Sequence, residues 1–210
     1  MRAVRWAIVI AVIAGLCWLF PLFHVVPLQA SNAQKAAATF NATQFAENFW
    51  TNQLLPSLDK TVKADTLLAA IQSDPAGAKK KFSRSIGLSD AYFYFVSGAG
   101  RVVTVSDDAV SLAVTDGSTN AEIALQTGLI FGDAIRDGSG LLNASAYPNS
   151  QDFNDISAAL DHIVETRVLP GLRQQAKIGA KISFAGCAEV DDESTDLKPL
   201  KVVPIQTNPQ

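Results

Sequence analysis

The chain has 210 residues, 48% of them hydrophobic and 18% charged, with a formal net charge of −3. This balance supports one packed domain of ordinary size plus an N-terminal segment, and it excludes global disorder. Arg2 and Arg5 are the only charges in the first thirty residues, so the remainder carries 15 bases against 20 acids; with no basic stripe, a nucleic-acid partner is not expected, because phosphate binding needs clustered Lys and Arg.

The first element is an apolar run from Ala7 to Val26, broken by Pro21 and His24. A run of about 20 apolar residues spans a bilayer as a helix. The arginines ahead of it orient the N-terminus to the cytoplasm, so the chain beyond is exported. Residues 1–30 are therefore expected to be a signal peptide or a membrane anchor, and 31–210 an exported domain in the periplasm, held at the inner membrane. Cleavage would fall near Leu28–Ala30 or Ser31–Ala33. The length of the apolar run and the lack of a clean small-residue cleavage box favour the anchor. Cys17 lies inside the run, preceded by Leu16 with Ala14 three before it, a poor lipobox. Cys187 lies in a predicted strand, so no structural disulfide is expected.

Helices come next. Phe40, Phe45, Phe49, Trp50 and Leu54 share one face of a predicted helix over 36–55, which Pro56 ends. Asp65 is expected to cap a second helix carrying Leu67, Leu68 and Ile71. Pro75 opens a third, whose Lys79–Lys81 run closes a solvated helix end. The texture then changes to strands at Ala91–Val96 and Arg101–Ser106, with Ser97–Gly100 expected as the turn between them. GAGRVV lacks the third glycine of a dinucleotide fingerprint and enters strand residues, so it is set aside. Val110, Leu112 and Val114 alternate in a further strand, and Ile123 and Leu125 in another. A helix is expected from about Gln151 to Leu169, with Phe153, Ile156, Leu160, Ile163, Val164 and Val168 on one face and His162 opposite. AKISFAGCAEV and LKPLKVVPI read as two last strands around the acidic connector Asp191–Asp196. The predicted fold class is α+β: a small antiparallel β barrel, OB-like, with N-terminal helices and one inserted helix, preceded by the membrane segment.

Little in the exported part looks like catalysis. It holds one histidine, His162, and one cysteine, Cys187. A His/Cys zinc site is not expected, and no GxSxG or P-loop is present. The connector Asp191, Asp192, Glu193 and Asp196 lacks the order and the glycine of an EF-hand, so neither a metal nor a cofactor is predicted. The stretch TGLIFGDAIRDG, Thr127–Gly138, stands out. Asp133 and Asp137 are four apart and share a face, a spacing that suits acid/base work or hydroxyl binding. The same residues suit a structural corner: Gly128, Gly132 and Gly138 for backbone shape, and Arg136 for a bidentate carboxylate bond.

TGLIFGDAIRDGSGLL, YPNSQDFNDISAAL, KISFAGCAEV and LKPLKVVPI together resemble a bacterial family of predicted periplasmic lipoproteins, domain-of-unknown-function family 2291. The resemblance covers nearly the whole chain. Gly128, Gly132, Ala134, Arg136 and Asp137 match its pattern, with Asn149 and Gln151 as further matches. Leu129 stands where the family usually has proline, Phe131 where arginine is frequent, and Asp133 where Thr or Ser is usual. The resemblance implies no enzymatic activity. It implies an accessory or binding role beside sugar or solute transport components, with Arg136, Asp137, Asn149 and Gln151 as binding candidates. The alternatives are a hydrolase using Asp137 with Asp133, or a structural envelope protein.

Overall fold

Helices come first along the chain, where apolar residues recur every three to four positions. A computed structural model describes residues 40–86, 90–142 and 150–210. Helix α1 (Ala42–Phe49) is capped by Asn41, whose side chain accepts from the Gln44 N–H at 2.9 Å. It buries Ala46 and Phe49. The predicted stop at Pro56 does not occur. The chain runs on through a π turn at Trp50–Leu54 into a 3-10 segment at Leu55–Lys60. Pro56 sits in the first turn of that segment, where its missing N–H removes no helical bond. After β1 (Val62–Lys63) comes α2 (Ala64–Ser73). Asp65 does not cap it. It lies inside the first turn, where a carboxylate still favours the positive helix end, and accepts from the Thr66 N–H at 2.6 Å. Asp74 does cap α3 (Pro75–Phe82), accepting from the Gly77 N–H at 3.0 Å. A short strand, β2 (Ser83–Ser85), follows.

The expected turn at Ser97–Gly100 is the middle of one 14-residue strand, β3 (Tyr92–Val105). Its glycines permit close approach instead of reversal. A Cβ on Gly98 would stand 2.8 Å from the Ala64 Cβ, and one on Gly100 would stand 2.9 Å from the Ala113 carbonyl oxygen. Strands β4 (Ala109–Ala113) and β5 (Ile123–Gln126) follow, then α4 (Ala134–Gly138) and α5 (Ser150–Ile163). The helical path continues past α5 through a π turn at Val164–Val168 into α6 (Leu169–Gln175), with Pro170 in its first turn. Strands β6 (Lys181–Val190) and β7 (Leu200–Pro209) close the chain. The acidic connector between them is a one-turn helix, α7 (Glu193–Asp196), rather than an open loop. Its carboxylates are engaged: Asp192 accepts from the Ser194 N–H, and Asp196 bonds the Asp191 and Asp192 N–H groups and Lys201.

The long strands close into a ring of pairings in the order β3, β4, β5, β7, β6, with β6 returning to β3. The sheet is not wholly antiparallel as expected, because β5 and β7 pair in parallel. Small strands β1 and β2 add to the free side of β3. Even-numbered residues of β3 and β6 turn inward, so Tyr94, Val96, Val102 and Ile182 are buried with Val110, Leu112, Ile123 and Leu125. The apolar face of α5 and its continuation, Ile156, Leu160, Ile163 and Val164, is buried too. Each such side chain contributes roughly 1.5–3 kcal/mol by leaving water. Among the described residues no helix is long and apolar enough to cross a membrane. The segment 7–26 predicted as signal or anchor, with Cys17, lies outside the described residues.

Candidate functional site

The stretch from Thr127 onward leaves β5 as a loop and winds into the single turn of α4. Backbone bonds from Thr127 and Gly128 N–H to the Asp108 carbonyl, at 2.8 and 3.2 Å, fix its start, and Arg173 donates to the Thr127 carbonyl. Gly132 takes a left-handed φ of +111°, which a side chain would strain. Gly138 allows close packing on β6, where a Cβ would come within 2.6 Å of the Cys187 Sγ. Leu129 and Phe131 project into solvent.

Arg136 is only 6% exposed and Asp137 only 3%. Arg136 grips Asp137 with two parallel bonds, Nε to Oδ1 at 2.8 Å and Nη2 to Oδ2 at 2.7 Å. Nη2 also lies 2.9 Å from Asp133 Oδ2. Nη1 donates to Ser157 Oγ at 3.0 Å, and Ser157 donates in turn to Asp133 Oδ1 at 3.0 Å. The guanidinium carbon lies 3.7 Å from the centre of the Phe153 ring. Burial by itself would pull the arginine pKa down, but the bonds and charge of Asp137, then the charge of Asp133, raise it. The group is a satisfied buried ion pair, with Asp133 supplying a half-exposed second carboxylate.

One stripe of α5 and its continuation supports this loop. Phe153, Ser157, Asp161 and Glu165 recur every four residues. Phe153 stacks under Arg136, Ser157 bonds it, and Glu165 accepts the Ile130 N–H at 3.2 Å. Asp161 is buried, and burial together with the Glu165 and Asp133 charges pushes its pKa up to about 7. Glu189 of β6 is also raised, by burial and by Asp191. Sequence reading missed Ser157 and Asp161 because both sit beside an apolar helix face that looked ordinary. Two polar residues in i, i+4 register at the edge of a buried stripe were the available signal.

The structure brings Arg136, Asp137 and Asp133 together. Gln151 is exposed and donates to Asp155 Oδ1 at 2.8 Å. Asn149 lies outside the described residues. His162 is exposed. The Cys187 thiol is fully buried, and burial, reinforced by the Asp137 charge, raises its pKa, so it is no reactive nucleophile. Among the described residues no group of His, Cys, Asp and Glu is arranged to hold a metal ion.

The open concave surface lies elsewhere. A groove of about 1240 Å³ runs along the outer face of the middle of β3. Register defines its floor, because direct cross-strand partners share a sheet face. Ser97 pairs with Ala185 and that with Gln206; Ala99 pairs with Ser183 and that with Asn208; Arg101 pairs with Lys181. Helix α2 supplies one wall through Asp65, Leu68 and Gln72, and the β4–β5 turn supplies another through Thr115–Ser118. The lining mixes polar and apolar groups, with hydroxyl and amide groups on the floor beside Leu58, Leu68, Val114 and Phe184.

No match is found among curated proteins. A solved structure described as an OB-fold protein from Thermotoga maritima is similar with a TM-score of 0.73 at 21% identity, covering 82% of this chain and 99% of that one. That likeness shows the fold, and the closed five-strand ring with a helix before its last two strands accords with it. A family model described as "Predicted periplasmic lipoprotein (DUF2291)" matches residues 7–208, nearly the full length, and the chain belongs to that family.

Proposed function

We propose that this protein is a non-catalytic binding module, held at the periplasmic face of the inner membrane, that serves a sugar or solute uptake system. The observation that carries this is the mixed groove over β3, which exceeds the ~300–1,000 Å³ of ordinary small-molecule clefts and offers hydroxyl, amide and charged groups beside apolar ones to a solute. The state of the Arg136 cluster supports it. A hydrolase built on Asp137 with Asp133 needs both carboxylates facing an open site, whereas both Asp137 oxygens are held by Arg136 inside the fold. The cluster therefore reads as a structural clamp.

The test is calorimetric titration of the full chain in detergent with a panel of neutral and acidic mono- and disaccharides, joined to cross-linking in native membranes. One sugar class is expected to bind in the micromolar range, about −8 kcal/mol, with a transporter subunit among the cross-linked products. A panel with no binding and no cross-linked transporter subunit overturns the proposal.

A further inference from the structure

Two cations stand as neighbours at one end of the groove. Arg101 and Lys181 are direct register partners on β3 and β6, and both are exposed. Like charges placed opposite one another in a sheet repel, so their juxtaposition is unfavourable unless an anion lies between them. Among the described residues neither reaches a carboxylate at ion-pair distance. Arg101 is not loose: its Nη2 donates to the Ser118 carbonyl at 2.7 Å, which fixes the guanidinium against the β4–β5 turn and leaves other N–H groups for a ligand. A third cation, Lys63, lines the same groove, with Nζ 3.4 Å from Ser97 Oγ.

The acids lining the groove, Asp65, Asp116 and Glu122, match its cations in number, but none reaches Arg101 or Lys181 at ion-pair distance. Glu122 accepts the Val114 and Thr115 N–H groups at 2.7 and 2.9 Å, and burial is outweighed by those bonds, so its pKa is lowered. Asp65 accepts from Thr66. Asp116 remains, on the turn. Between the cations the floor presents hydroxyls and carboxamides, from Ser97 and Ser183 to Gln206 and Asn208. Those groups donate and accept at short range, as a ring of sugar hydroxyls requires. A guanidinium fork takes a carboxylate through two parallel bonds.

We infer that the groove binds an acidic sugar, with its carboxylate between Arg101 and Lys181 and its hydroxyls over Ser97, Ser183 and Asn208. This rests on the binding-module reading above and names its ligand class. The volume admits more than one sugar ring, so an acidic disaccharide fits the same register.

The test titrates the full chain in detergent with glucuronate and galacturonate against glucose and galactose, with acetate alone as a further arm. The double variant Arg101→Gln/Lys181→Gln is run in parallel; both positions are exposed strand residues, and unchanged thermal unfolding checks that it folds. At least one uronate is expected to bind tenfold or more tighter than its neutral sugar, acetate is expected not to bind measurably, and the preference is expected to vanish in the variant. Equal affinity for a uronate and its neutral sugar overturns the anion site and leaves the binding module standing. Acetate binding as tightly as the uronates overturns the sugar assignment. Absence of binding to all four sugars overturns the assignment, and the wider disaccharide panel with membrane cross-linking then decides whether the module reading falls as well.

Discussion

The clamp around Arg136 and the groove over β3 hold similar residue types in opposite electrostatic conditions. In the clamp a guanidinium is buried, and Asp137, Asp133, Ser157 and the Phe153 ring all meet it. In the groove two cations are cross-strand neighbours in water, and no carboxylate pairs with either among the described residues. A charge removed from water must be fully partnered or the chain does not fold around it, so burial consumes its binding capacity. A charge left in water keeps that capacity. The stretch most suggestive of chemistry in the sequence is thus the one that the fold uses up, while unremarkable strand residues line the open surface.

This contrast breaks first at Arg136. Arg136→Ala leaves Asp137 buried without its cation and is expected to cost about 3–5 kcal/mol in urea unfolding. A loss under 1 kcal/mol would show that the clamp is not structural. Gly138→Ala is next: its methyl would overlap Cys187, and the overpacking is expected to cost about 1–3 kcal/mol. Adding Cys187→Ala removes the sulfur and should recover part of that loss; strict additivity of the two losses would refute the contact.

Asp161 gives a smaller, pH-dependent effect. Its folded pKa of about 7 lies above the ordinary carboxylate value, so the folded state holds a proton that the unfolded chain has released. Its contribution is most favourable below about pH 4 and is lost as pH rises through 7. Asp161→Asn is therefore expected to gain stability relative to wild type on going from pH 4.5 to pH 8. A difference between the two proteins that stays flat over that interval would rule out the raised pKa. Arg101→Gln/Lys181→Gln sharpens the comparison from the other side, with a stability change within about 0.5 kcal/mol. A larger loss in urea unfolding would mean that the groove cations also serve the fold.

Much of the local structure was readable. Alternation located β4 and β5, the segments on either side of the acidic connector read as β6 and β7, helical spacing located α5, and Pro75 after Asp74 marked the start of α3. The misreadings share a cause. Ser97–Gly100 and Pro56 carry the residues of a turn and a stop, and those residues have more than one use. Glycine also permits close approach, as Gly98 does toward Ala64, and proline also opens a helical turn. Nothing near them in the chain distinguishes the uses, because the deciding neighbour is remote. The candidate site was half legible for the same reason. Arg136 beside Asp137 suggested a bidentate bond, but Ser157 and Phe153 come from a helix that begins twelve residues after α4 ends.

The sequence by itself determined where apolar faces fall, which segments are helical or extended, and, through family-specific residues, that the chain belongs with predicted periplasmic lipoproteins. Those are properties of neighbours within a few positions or of matched motifs. Only the tertiary structure decided the parallel β5–β7 pairing, the closure of β6 onto β3, the burial of Arg136 and the meeting of Arg101 with Lys181. Each of these joins segments far apart in the chain, and a side chain's solvation, which sets whether its charge is consumed or available, is fixed by what that distant packing places beside it.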